Sequence, residues 1–189
     1  MNLKTLVKRA RSYRRFDEKH RISKKILKEL VELARFSPCA MNQQALKFKL
    51  INTKEQNDLI FPALSWAGYI KGWGGPKKGE RPSAYIIILG DTRISQKFWC
   101  DHGIAGQSML LGAVEKGLGG CMLGAINREL VTKNLKISKR YEILLVIALG
   151  KPKEKIVLET LKKGKDTKYY RDKNDVHHVP KRPLSELIV

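Results

Sequence analysis

Two uninterrupted apolar runs constrain the fold of this chain more than any other feature. They are Tyr-Ile-Ile-Ile-Leu at residues 85–89 and Ile-Leu-Leu-Val-Ile-Ala-Leu at residues 143–149, and neither contains a charge. Both are far shorter than the roughly 20 residues that span a bilayer. Continuous apolar runs of this length are typical of strands buried on both faces. Helical patterns lie between them, so we expect an α/β or α+β fold with a central sheet.

The helical patterns have recognisable ends and faces. Ser23 can cap a helix that ends before Pro38. The apolar stripe of that helix consists of Ile26, Leu30, Leu33 and Ala34. We also predict helices near residues 3–10 and over residues 128–135. Residues 104–114 are small and nearly uncharged, which is typical of a buried central helix packed closely on another helix or subunit.

The remaining segments are predicted as strands, a loop and a tail. Residues 48–51 alternate loosely with lysines and residues 118–123 follow a Gly-rich turn, so both are predicted strands. Residues 64–82 are rich in Gly and Trp, lack a period and form a loop or lid candidate. The tail from Lys151 contains three prolines and is predicted to be an extended arm. Its last apolar residues, which must be buried somewhere, are Leu184, Leu187 and Ile188.

Composition indicates the number of domains, the kind of partner and the redox compartment of the protein. The length of 189 residues with 42% hydrophobic residues fits one domain, residues 1–189. Lys and Arg number 38 against 18 Asp and Glu, giving a formal net charge of +20, which fits either anionic partners or a solvated surface. Three separated cysteines without a CxxC indicate neither disulfides nor zinc and suit a reducing cytoplasm. No signal peptide, membrane segment or clustered histidine site is expected.

Two polar segments are candidates for binding chemistry. Arg11, Ser12 and Arg14 place two guanidinium groups and a hydroxyl close together, so they can converge on one phosphate; the alternative is a solvated basic turn. Residues 37–44 follow a helix with small side chains and amides that can meet the edge of a flavin or a base, or form an ordinary polar loop. Residues 117–124 (GLGGCMLG) only partly match a dinucleotide loop, because Met122 stands where the last glycine is needed.

Five segments in order resemble the FMN-dependent nitroreductase family. They are Arg-Ser-x-Arg-x-Phe near the N-terminus, SPCAMNQQ, DHGIAGQSMLLGA, GLGGCMLG and a late Lys-Arg-Pro. The resemblance runs from about Leu6 to Leu187, nearly the whole chain. It implies a three-layer α+β fold with a central, mostly antiparallel sheet, flanking helices and an extended C-terminal arm, with residues 176–189 as an interface arm. It also implies a homodimer with FMN at the subunit interface.

The resemblance assigns residues to the cofactor and a reaction to the protein. Arg11, Ser12 and Arg14 match the residues at the FMN phosphate and ribityl chain, with Lys181 and Arg182 as the C-terminal basic contribution. The loop that meets the flavin across the interface corresponds to Pro38, Cys39, Ala40, Met41, Asn42 and Gln44. The segment along the flavin ring corresponds to Gly120, Cys121, Met122, Leu123 and Gly124. Electrons are expected to pass from NADH or NADPH through FMN to a nitroaromatic, quinone or similar acceptor by a ping-pong scheme.

Two other functions remain open at this point. The motifs indicate flavin binding more directly than turnover, so an FMN storage or sensing protein is the first alternative. The net charge of +20 suggests a nucleic-acid-binding module as the lesser alternative. That alternative lacks a helix-turn-helix signature, an RNP-like pattern and a zinc knuckle. Only 7% of residues are aromatic, which leaves little material for a base-stacking platform.

Overall fold

A computed structural model describes residues 1–189 and places five strands in a central antiparallel sheet. The strands are β1 (Phe16–Asp17), β2 (Leu46–Ile51), β3 (Ala84–Asp91), β4 (Gly119–Leu123) and β5 (Tyr141–Pro152). The long strand β5 pairs with β3, β4 and β1, and β2 pairs with the other edge of β3. The predicted antiparallel sheet is therefore confirmed.

Strand β3 is buried along its whole length, as its apolar sequence predicts. Tyr85, Ile87 and Leu89 belong to the core cluster on one face of the sheet, and Ile86 and Ile88 belong to the cluster on the other. Successive side chains of a strand point to opposite faces, so a continuous apolar run supplies both clusters. Helices cover both faces, which confirms the predicted three layers.

Five helices form the outer layers. They are α1 (Leu3–Arg9), α2 (Lys24–Phe36), α3 (Lys54–Ile60), α4 (Asp101–Glu115) and α5 (Arg128–Leu135). Helices α2 and α4 pack on one face of the sheet, and residues of α3 and α5 belong to the core cluster on the other. None of the five has the length and apolarity needed to cross a membrane.

Helix α2 begins where the sequence predicts, because the Ser23 hydroxyl accepts a hydrogen bond from the Ile26 N–H (3.3 Å). Its buried residues are Leu27, Leu30 and Ala34. The predicted stripe was wrong at Leu33, whose side chain is partly exposed at the flank of the helix. There it lies against Gly112 of α4, where a Cβ atom would come within 2.2 Å of a Leu33 methyl carbon. The small residues of α4 thus allow the two helices to pack closely, as predicted for a buried central helix.

The chain after β5 folds into a second, three-stranded sheet. Its strands are β6 (Ile156–Thr160), β7 (Tyr170–Arg171) and β8 (His177–Lys181), in the order β6-β8-β7. The expectation of an extended arm from Lys151 was therefore wrong for residues 156–181. Strands β6 and β8 pair in parallel, and Pro180 of β8 lies opposite Glu159 of β6. The last apolar residues remain exposed in the single chain: Leu184, Leu187 and Ile188.

Candidate functional site

The turn between α1 and β1 carries the predicted phosphate ligands and is anchored by two aromatic rings. Phe16 is fully buried against Gly150, where a Cβ atom would lie 2.6 Å from its ring. A Cβ atom at Gly119 would likewise lie 2.5 Å from the ring of Tyr13. The Tyr13 N–H donates to the Gly120 carbonyl (3.0 Å). These contacts fix the turn on β4 and β5.

Arg14 is the most buried cation of this turn, with 9% of its surface exposed. Its Nη1 donates to the Ser12 carbonyl (3.1 Å) and lies 3.3 Å from His177 Nε2. Its guanidinium carbon lies 4.9 Å from the centroid of the Tyr169 ring. Its Nε is buried and has no hydrogen-bond partner. A buried guanidinium with a spare N–H favours an anionic ligand.

Arg11 and Ser12 lie beside this group. Arg11 Nη2 donates to the Val7 carbonyl (2.8 Å), and its Nε is also buried without a partner. Burial lowers the pKa of the Arg11 guanidinium. Ser12 is exposed and pairs with Gly120 in an isolated parallel bridge. The backbone thus joins two of the segments assigned to the cofactor.

His177 is the buried histidine beside Arg14. The ring is 1% exposed. Burial, followed by the charges of Arg14 and Arg171, lowers its pKa from 6.5 to about 4. A neutral ring can accept a hydrogen bond from Arg14 and adds no further positive charge to the site.

A cavity of about 250 Å³ brings the central residues together. It is lined by Arg14, by residues 65–68 of the long loop and by residues 121–125. Of the predicted cofactor residues, this cavity therefore gathers Arg14, Cys121, Met122, Leu123 and Gly124. Gly120 adjoins it through β4. Burial raises the pKa of the Cys121 thiol, so this cysteine is not a thiolate at neutral pH.

The second predicted segment lies elsewhere in the single chain. A cavity of about 370 Å³ between α2 and β2 is lined by residues that include Pro38, Cys39 and Gln44. The loop is unusual because three of its non-glycine residues have positive φ: Met41 (51°), Asn42 (51°) and Gln44 (53°). The Ala40 N–H donates to the buried carboxylate of Asp101 (3.0 Å), which holds the loop at the start of α4. None of these residues lines the cavity around Arg14.

The C-terminal basic pair is also separate from Arg14 in one chain. Lys181 ends β8, four residues beyond His177, which corresponds to roughly 13 Å along a strand. Arg182 is exposed and forms an ion pair with Glu186 (2.9 Å). A single chain therefore gathers only part of the predicted set.

The loop of residues 64–82 contains no regular helix or strand, as predicted, but it is held in place. Trp66 is buried in the core cluster. The Arg171 guanidinium lies 4.3 Å from the centroid of the Trp73 ring, and Tyr69 and Tyr169 have ring centroids 5.1 Å apart. These contacts indicate a packed wall beside the cavity.

Sequence reasoning missed the groups that surround Arg14 from the C-terminal side. The sequence patterns identify neither Glu154, Tyr169 nor Arg171, and they assign no role to His177. In the sequence, only Glu154 stands out among these residues, because it is a lone acid between Lys153 and Lys155. An isolated acid among lysines says nothing about which distant backbone groups it contacts.

Comparisons with known proteins agree with the predicted family. Residues 7–151 match the model of the Nitroreductase family. A protein of Bacillus subtilis (strain 168), YodC, named provisionally as an NAD(P)H nitroreductase, is 24% identical, with 79% of this chain and 89% of that protein covered.

Solved structures agree with the fold. A nitroreductase family protein of Clostridium difficile 630 superposes with a TM-score of 0.69 at 19% identity, covering 100% of this chain and 98% of that one. A nitroreductase of Exiguobacterium sibiricum 255-15, crystallised in complex with FMN, gives a TM-score of 0.67 at 18% identity, with 82% and 90% covered. The family and the fold predicted from the sequence are confirmed.

Proposed function

The chain belongs to the nitroreductase family, and we propose that it is an FMN-dependent oxidoreductase. It would transfer electrons from NADH or NADPH to a nitroaromatic, a quinone or a similar small acceptor. The observation that carries this proposal is the cavity in which Arg14 meets residues 121–125. The name of YodC supports the nicotinamide donor, and the FMN complex of the Exiguobacterium protein supports the cofactor. Three free thiols suit a cytoplasmic location.

Residues of the cavity, with Arg11 beside it in the same turn, fit FMN chemically. The unpartnered, buried Nε atoms of Arg11 and Arg14 can donate to phosphate or ribityl oxygens. Gly124 has no atom within 4 Å of a Cβ position, so the backbone is open to a planar ring at this point. Bound FMN would supply the hydride and electron transfer. The protein would position the ring with residues 120–124 and balance the phosphate charge with its cations.

We further propose that the working unit is a homodimer whose sites contain residues of both subunits. Pro38, Cys39, Ala40, Met41, Asn42 and Gln44, together with Lys181 and Arg182, would reach the cofactor of the other subunit. Exposed apolar residues support a subunit interface: none of α1 is buried, and Leu3, Phe36, Leu187 and Ile188 are each more than 60% exposed. An interface that covers these residues would bury the apolar tail and complete the site. Residues 181–189, rather than the whole predicted arm, would then cross between subunits.

Cofactor binding tests the assignment of the phosphate ligands. The purified protein should show a flavin absorption spectrum and bind one FMN per chain, with riboflavin bound much more weakly because it lacks the phosphate. Arg14→Gln should weaken FMN binding at least tenfold and leave riboflavin binding nearly unchanged. Equal affinities of the wild-type protein for FMN and riboflavin would remove the phosphate site.

Steady-state kinetics test the reaction itself. Because donor and acceptor would use one cavity in turn, initial rates should give parallel double-reciprocal lines, the pattern of a ping-pong mechanism. Intersecting lines would require both substrates to be bound together. Binding of FMN without any reduction by NADH or NADPH would favour the storage or sensing alternative.

A further inference from the structure

Residues 66–75 form a flap beside the cavity of about 250 Å³. Trp66, Ala67 and Gly68, at the start of the flap, line this cavity. The two ends of the flap meet, because a Cβ atom at Gly75 would lie 2.6 Å from the Trp66 ring. Trp66 is 7% exposed and belongs to the core cluster, so the base of the flap is fixed. The flap is therefore a wall of the cavity that is anchored at its base.

Backbone hydrogen bonds do not hold the flap on the rest of the protein. The flap lies outside the helices and strands, and its two backbone hydrogen bonds are both internal. The Ile70 N–H donates to the Ala67 carbonyl (2.9 Å), and the Trp73 N–H donates to the Ile70 carbonyl (3.3 Å). A segment without backbone hydrogen bonds to its surroundings depends on side-chain packing for its position and opens at a low cost in free energy.

Two side chains of the flap pack on the second sheet. The ring centroids of Tyr69 and Tyr169 are 5.1 Å apart, and the Arg171 guanidinium carbon lies 4.3 Å from the centroid of the Trp73 ring. Tyr169 directly precedes β7, and Arg171 ends that strand. Residues two apart in an extended segment lie on the same face, so one face of this segment meets the flap twice. These two contacts form a latch between the flap and the second sheet.

The two residues of the latch that belong to the second sheet are themselves held in place. The ring of Tyr169 lies 5.2 Å from the ring of His177, which is buried. The side chain of Arg171 is 8% exposed and forms an ion pair with the buried carboxylate of Glu154 (3.0 Å). Aromatic pairs and cation–π contacts each stabilise modestly. The latch thus joins a fixed strand to a flap that little else restrains.

We propose that the latch sets the size of the electron acceptor that the cavity admits, which makes Tyr69 and Trp73 positioning residues for acceptor specificity. A latched flap holds the wall formed by Ala67 and Gly68 in place, and a bulky acceptor has to displace this wall. The inference rests on the proposed function, because it assumes that the acceptor enters this cavity. The second sheet lies beyond residues 7–151, which match the family model, so the latch uses a part of the chain outside that match.

Trypsin tests the latch without any cofactor. Lys71 is exposed within the flap, and its cleavage requires the flap to open, so the cleavage rate reports the open fraction. Tyr69 is 58% exposed, so Tyr69→Ala removes the ring contact with little loss of core packing. Cleavage after Lys71 should become about two- to tenfold faster in Tyr69→Ala. Tyr69→Phe keeps the ring and should be cleaved at the wild-type rate.

Tyr170→Ala is the matched control. Tyr170 lies between the two latch residues of this segment and points to the opposite face, where its ring stacks on His178 at 4.8 Å. It is 47% exposed, similar to Tyr69. Its removal should leave cleavage after Lys71 unchanged. An acceleration equal to that of Tyr69→Ala would mean that any loosening of the second sheet frees the flap, and the inference would be wrong.

Reoxidation of the reduced, FMN-loaded protein tests the effect on specificity. Benzoquinone serves as the small acceptor and phenanthrenequinone as the large one, and each takes up two electrons and two protons to become its hydroquinone. Stopped-flow absorbance gives a second-order rate constant for each quinone. The ratio of the large to the small acceptor should rise about two- to tenfold in Tyr69→Ala, because the large acceptor needs the open fraction. Tyr69→Phe and Tyr170→Ala should keep the wild-type ratio.

Each of the other results contradicts the inference. Unchanged cleavage in Tyr69→Ala would show that the latch does not hold the flap, and faster cleavage with an unchanged ratio would show that the flap does not limit the acceptor. If Tyr69→Ala does not fold, Tyr169→Leu removes the same ring contact from the other side and should give both changes. If neither quinone reoxidises the flavin of the wild-type protein, the proposed function fails and the inference with it. Normal reoxidation with an unchanged ratio overturns the inference alone.

Discussion

Acidification should destabilise the protein through His177, which folding holds in its neutral form. The folded-state pKa of His177 is lowered from 6.5 to about 4, first by burial and then by the charges of Arg14 and Arg171. Such a group contributes stability that is complete above the unfolded pKa and is lost as the pH falls toward the folded pKa. Between pH 7 and pH 5 the unfolded chain takes up a proton that the folded chain excludes. The free energy of unfolding should therefore fall by about 2 kcal/mol from this residue alone.

Urea unfolding at pH 7 and at pH 5 measures this contribution when the wild-type protein is compared with His177→Gln. The glutamine does not titrate and can still accept a hydrogen bond from Arg14, so the remaining ionisable groups contribute similarly to both proteins. The loss of unfolding free energy on acidification should be about 2 kcal/mol larger in the wild-type protein. Equal losses in the two proteins would refute the neutral, buried His177.

The neighbouring histidine supplies a control of opposite sign. Hydrogen bonding to Glu159, and then to Asp172, raises the pKa of His178. Its contribution is therefore complete below the unfolded pKa and is lost as the pH rises through the folded pKa. His178→Gln should consequently lose more stability on acidification than the wild-type protein, whereas His177→Gln should lose less.

Two further predictions concern packing and assembly. Gly120→Ala would place a Cβ atom 2.6 Å from the Ala148 carbonyl oxygen, so the free energy of unfolding in urea should fall by about 1–3 kcal/mol. Gly124→Ala is the control: its Cβ atom would meet no atom within 4 Å, so the free energy of unfolding should hardly change. Sedimentation should give a mass of about 43 kDa, twice the chain mass of 21.6 kDa. The double variant Leu187→Asp, Ile188→Asp should shift the protein toward the monomer and weaken FMN retention. A stable monomer that retains FMN would contradict the interfacial site.

The parts of the fold that the sequence predicts well are those that depend on local patterns. The run at residues 85–89 predicts a doubly buried strand because only burial on both faces accommodates five consecutive apolar residues. The bounds of α5 match the prediction, since Asn127 caps the helix by accepting from the Leu130 N–H (3.0 Å). In both cases the signal lies within a few residues of the element that it specifies.

The parts that the sequence does not predict depend on contacts between distant segments. The second sheet forms because β6 pairs with β8 about twenty residues later, and neither strand has the apolar alternation of a core strand. Glu154 contacts a turn 140 residues earlier. His177 owes its burial to Tyr169 and Arg14, so its type and its sequence neighbours do not reveal its environment. Resemblance to the family predicts a set of cofactor ligands, but it does not identify the residues that surround Arg14 from the C-terminal side.

Anaerobic reduction of the bound flavin tests the central claim most directly. NADH or NADPH, mixed with the FMN-loaded protein in the absence of oxygen, should bleach the flavin absorbance before any acceptor is present. A quinone or nitroaromatic compound added afterwards should restore the oxidised spectrum, with one two-electron equivalent consumed per bound FMN. If the flavin binds stoichiometrically yet neither nicotinamide reduces it, the protein is not the proposed oxidoreductase.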